Sequence, residues 1–191
     1  DWINKYQPVQ AQQPQQDSPM ILTEIRPARA RQHAVCKPNK KTGLAVWEVS
    51  YNRFVKGDSP QAIAMSPTSG RPIQVATVVG HLLDAITHGK PVDLARLAPF
   101  LPPPSKVEWE KLYEAELSTC MNVAGDPNCS GLDGAKFTMT DFLRPVVGHE
   151  LVDKPFTERS EADRELFGHW CNQLKWYMAL RRVNYQPTFK S

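Results

Sequence analysis

A chain of 191 residues holds one fair-sized core or two small ones, and no stretch approaches the ~20 apolar residues that a membrane-spanning helix needs. The formal charge of +3 is low for a domain built on phosphate contacts, and 17 prolines commit many segments to extended or looped backbone. The four cysteines, Cys36, Cys120, Cys129 and Cys171, stand too far apart for a common zinc motif.

The opening segment is rich in Gln and Pro, a composition that stays disordered unless an outside surface orders it. Trp2, Ile3 and Tyr6 are its candidate partner contacts. The chain starts at Asp1 in place of Met, so the expectation is a removed presequence and an organellar, mitochondrial address. The arm continues to Gly43 through the densest basic stretch, Arg26, Arg29, Arg31, Lys37, Lys40 and Lys41. Such a stretch suits RNA, anionic headgroups as a peripheral membrane contact, or a solvated loop.

Residues 44–104 carry the strongest local pattern. Tyr51, Phe54 and Val55 fall at helical spacing and stop at Gly57. Asp58 or Ser59 caps a second helix with Pro60 at its first position and Ala62, Ile63 and Met65 on its apolar face. Pro67 to Pro72 break it. Val75, Val78, Val79, Leu82, Leu83 and Ile86 then give a third helix a wide apolar stripe, ending at His88-Gly89. A fourth short helix carries Leu94, Leu97 and Phe100, and Pro102 to Pro104 end the unit. Short helices joined by tight turns must bury their stripes on one another, in a helix-turn-helix layout.

These residues also carry a resemblance. Tyr51, Phe54, Gly57, Ser59, Ile63-Ala64, Thr77-Val78, His81-Leu82, Ile86, Gly89, Pro91 to Leu94 and Leu97 resemble the helix-turn-helix domain near the C-terminus of RecQ-type, Werner-like helicases. The match covers residues 50–104 only, and the proline-rich turn at 67–72 departs from the family pattern. The resemblance implies nucleic-acid binding through the third helix, with Arg71, Gln74, Thr77 and His81 as contacting side chains. Against it, that helix is mostly Val, Ala, Gly and Leu, and carries none of the clustered cations that phosphate affinity requires.

Residues 105–191 predict two longer helices. Ser105 caps the first, in which Trp109, Leu112, Tyr113 and Leu117 form a stripe while Glu108, Glu110, Glu114 and Glu116 read as a solvated face. Cys120 and Cys129 bracket a loop and are a possible disulfide, with four reduced thiols as the other reading. The loop from Asp126 to Phe137 alternates Asp126, Asn128 and Ser130, but Phe137 stands where a calcium loop needs Glu, so it reads as turn formers. A short helix from Thr138 is expected to stop at Pro145, followed by a loop to Arg159. Ser160 caps the second long helix, in which Trp170 and Trp176 lie too far round to share one face. Trp176 is therefore a candidate partner contact. The last residues read as a second extended arm.

The expected fold is mainly α: a helix-turn-helix-like bundle, two longer helices, and extended N- and C-terminal arms, divided at 1–43, 44–104 and 105–191. Phosphate-binding glycine loops, nucleophile elbows and paired-histidine metal helices are missing from the sequence, so no catalytic, cofactor or metal residues are expected. The function expected is a non-catalytic accessory subunit of a large mitochondrial complex, respiratory-chain or ATP synthase, held by protein–protein contacts. The alternatives are a RecQ-type nucleic-acid-binding module and a mitochondrial ribosomal protein.

Overall fold

The computed structural model describes residues 17–25, 37–40, 42–67, 70–126 and 136–191. Trp2, Ile3, Tyr6, Cys36 and Cys129, the arginines of the basic stretch, and most of the Asp126–Phe137 loop lie outside these residues. The chain is mainly helical, and among the described residues the strands are two residues long.

β1 (Met20–Ile21) and β2 (Glu24–Ile25) precede α1 (Val46–Val55), whose start is held by the Glu48 carboxylate accepting from the Ala45 N–H at 2.7 Å. Gly57, at φ +109°, reverses the chain after α1 in a conformation that side chains rarely tolerate. Arg53 secures the reversal, its Nε donating to Asp58 at 2.7 Å. α2 (Pro60–Met65) starts as the sequence predicts: the Ser59 hydroxyl accepts from the Ala62 N–H at 3.1 Å, and Pro60 takes the first position. The longer turn that follows is tied back where the Ile73 N–H donates to the Ala64 carbonyl at 3.0 Å, and α3 (Val75–Thr87) begins two residues on.

α1 and α2 both pack on α3. Phe54, Ile63, Val78, Val79, Leu82 and Ile86 are almost wholly enclosed. Each such side chain contributes about 1.5–3 kcal/mol relative to exposure. After α3, β3 (Val92–Asp93) pairs antiparallel with β2, and Asp93 caps a 3-10 turn over Leu94–Arg96 that buries Leu94. The expected fourth helix over Leu94, Leu97 and Phe100 is a 3-10 turn at Leu94–Arg96 followed by further turns, and the segment that leads into it is the extended strand β3.

α4 (Lys106–Thr119) opens on a reciprocal cap between Ser105 and Glu108, at 2.9 and 3.3 Å. α5 (Met139–Val147) starts at Thr138 and runs through Pro145, contrary to the stop expected there. The proline lies so near the C-terminus that only one intrahelical donor is lost before the helix ends at Gly148. The segment expected as a loop holds α6 (His149–Asp153) and a 3-10 turn over Phe156–Glu158. α7 (Glu161–Arg182) is capped reciprocally by Ser160 and Asp163.

Two cores share α7. Trp176, Ala179 and Leu180 enter the first with α1 to α3, while Trp170, Leu174 and Tyr177 enter the second with Leu112 of α4 and Phe142 and Leu143 of α5. At about 100° of turn per residue, the two sets fall on widely separated faces of the helix. Trp170 and Trp176 lie on different faces of α7, as their spacing predicts, and both faces are covered by this chain. Trp176 is fully buried and its Nε1–H donates to the Leu101 carbonyl at 3.1 Å, so it is no partner contact. The boundary expected at 104/105 falls in a linker, yet the first core is completed by the far end of α7. The C-terminal arm is extended as expected, but β4 (Thr188–Phe189) pairs antiparallel with β1.

Candidate functional site

α3 buries one stripe and leaves the other side of its first three turns outward. Gln74, Thr77 and His81 share that side by their three- and four-residue spacing, and Arg71 lies just before it in the turn. Arg71, Gln74 and Thr77 are exposed. His81 is half-buried, with its Nδ1 at 2.9 Å from the Ser50 hydroxyl of α1, and burial holds its pKa below the ordinary histidine value. Ser50 is 4% exposed, and the pair ties α1 to α3. At the other end of the same interface the His88 ring stacks on Trp47 with centroids 4.5 Å apart.

Two grooves flank the outward side of α3. The first, of about 590 Å³, lies between α1, the 39–44 turn and α3; Val46, Val49, Ile63 and Ile73 line it, with Thr77 and His81 on the α3 side. The second, of about 340 Å³, lies between α3 and α7 and mixes Asp84, Lys175 and Arg182 with Met178 and Leu83. Thr77 and His81 line both, so they form a ridge between them. α7 stands along one side of that ridge. α3 is therefore a wall of two grooves and not a free-standing helix.

The residues marked in the sequence for other chemistry are scattered. Cys120 is an exposed free thiol at the end of α4, its Sγ 3.5 Å from the Leu117 carbonyl, and its candidate disulfide partner Cys129 lies outside the described residues. Cys171 is a free, half-buried thiol whose pKa burial raises. Among the described residues no group of three or more His, Cys, Asp or Glu side chains could hold a metal, and no helix is long and apolar enough to cross a membrane.

The sequence reading missed a buried polar cluster. Glu116, expected on a solvated face, is 6% exposed at the foot of α4. Its carboxylate accepts from the Val123 N–H at 3.1 Å, from Arg181 Nε at 3.0 Å, and from the Tyr177 hydroxyl. Burial, and then the carboxylate beside it, raise the Tyr177 phenol far above its usual range. The signal was present: Glu116 follows Leu112 by four residues, on the inward stripe, and Arg181 follows Tyr177 by four on α7. By the same geometry Tyr113 and Leu117, expected in the stripe, face outward at 44% and 59% exposure. Glu108 is also engaged, in the α4 cap and at 2.6 Å from His169 Nε2.

Compared with known proteins, the chain matches no family model, no curated relative and no solved structure.

Proposed function

We propose that this chain is a non-catalytic accessory subunit that docks on other proteins through the outward side of α3 and its flanking grooves. The carrying observation is the aliphatic groove between α1 and α3, open to solvent at Leu44 and at Val46, which is 60% exposed. A groove lined by Val and Ile beside exposed aliphatics suits apolar side chains of a partner. Phosphate contacts are poorly served by the groove's own lining. Arg53, the groove's arginine, is engaged by Asp58 and by the Ser66 carbonyl, and Asp84 adds a carboxylate to the next groove. The mild charge suits a mitochondrial respiratory or ATP synthase complex better than a ribosome. Sedimentation of the endogenous protein from fractionated cells tests the reading. Migration in an assembly far above 21.6 kDa is expected, and a free monomer overturns it.

One observation favours a second reading, nucleic-acid binding of the kind the RecQ-type resemblance implies. Arg71, Gln74 and Thr77 are all exposed at the start of α3, where a recognition helix contacts base edges and phosphates. Anisotropy with duplex and single-stranded oligonucleotides decides it. Binding that falls steeply with salt and is lost in Arg71→Ala and Gln74→Ala replaces the docking proposal.

A further inference from the structure

We propose that the groove between α1 and α3 takes an acidic amphipathic segment of a partner protein, its apolar side chains in the groove and its carboxylates toward cations at the rim. This deepens the docking reading and rests on it. At about 590 Å³ the groove is within the range of sites that enclose a small ligand, so it accepts a few apolar side chains and leaves the rest of a helix outside. The charge around it is net positive: the lining Arg53 is offset by Asp58, which leaves two exposed cations. Lys40 is exposed between the lining residues Asn39 and Thr42, and Arg71 is exposed between the lining residues Pro67 and Ile73. Among the described lining residues there is no Asp or Glu, whereas the groove on the α7 side contains Asp84. A partner that buries aliphatics here and carries carboxylates at the edge meets both conditions, and a basic partner meets Lys40 and Arg71 as like charges.

A single-stranded nucleic acid would satisfy the rim but not the floor. Such ligands gain affinity by stacking bases on aromatic rings, and no Phe, Tyr or Trp is among the described residues lining the groove. The aliphatic floor therefore selects the peptide.

Phage display of a random peptide library on the whole immobilised chain, followed by anisotropy of fluorescein-labelled enriched peptides, tests the assignment. Enriched sequences are expected to place apolar residues three and four apart with Asp or Glu between them. Their binding should fall about tenfold or more in Val46→Glu and in Arg71→Glu, as for a contact central to an interface. Both positions are exposed, so circular dichroism and thermal melting should show these variants folded. A peptide with its acidic residues changed to Lys should regain binding to Arg71→Glu. Peptides indifferent to Val46→Glu, or basic ones, overturn the groove assignment and leave the docking reading standing. Failure to enrich any peptide overturns the proposal. If duplex oligonucleotides then bind with steep salt dependence, the docking reading falls with it.

Discussion

Replacing Glu116 by Ala tests the least expected part of the structure. The substitution removes an acceptor that serves a backbone N–H, a phenol and a guanidinium at once. A buried donor left without a partner costs about 1–3 kcal/mol, and removing one member of a buried ion pair about 3–5 kcal/mol. Arg181 keeps 27% of its side-chain surface, so water partly satisfies it once the carboxylate is gone, and the lower end of these ranges applies. The expected loss is about 3 kcal/mol, with Glu116→Gln losing about half as much because its amide oxygen still accepts. For a chain of 191 residues each kcal/mol moves the melting temperature by about 2–4 °C, so Glu116→Ala should melt roughly 6–12 °C lower. Urea unfolding followed by circular dichroism and tryptophan fluorescence gives the free energy directly. A loss below about 1 kcal/mol, or an Ala variant as stable as the Gln variant, would refute the reasoning.

Trp176→Phe removes the donor to the Leu101 carbonyl and thins the packing where α7 enters the first core; a loss of about 2–3 kcal/mol by urea titration is expected. His81 makes stability pH-dependent. Its folded pKa lies below the unfolded value of about 6.5, so the unfolded chain binds the proton more readily. The neutral-His contribution is complete above that value and is lost as pH falls through the folded pKa, and the difference in stability between wild type and His81→Gln should shrink over that window. A histidine NMR titration should place the His81 midpoint below the ordinary histidine value. Tyr177 should show no phenolate absorbance in alkaline titration while the chain stays folded, and Tyr177→Phe should leave the tyrosine titration of the folded protein unchanged. Timed alkylation with peptide mapping should modify exposed Cys120 well before half-buried Cys171.

Local punctuation was legible because its causes are local. Ser59-Pro60, Ser105 with Glu108, and Ser160 with Asp163 satisfy orphan N–H groups within one turn, so each helix start could be placed from its own residues. The stripe of α3 was legible because both neighbours, α1 and α2, are near in the chain. The extent of α5 was not, because a proline near a C-terminus costs too little to stop a helix that Phe142 and Leu143 anchor in the second core. For the candidate site, spacing alone grouped Gln74, Thr77 and His81 on one side of α3. It could not show that His81 turns inward to Ser50, or that grooves lie on either hand.

From its sequence alone this chain is committed to the Ser-capped starts of α2, α4 and α7, to the reversal at Gly57, and to the apolar stripe of α3. Only the tertiary structure decided what covers the faces of the helices. Trp176 and Glu116 both read as surface candidates, and both are enclosed by partners more than sixty positions away in the chain. Capping and periodicity act within a few residues, whereas enclosure depends on contacts between segments whose separation in sequence carries no local trace.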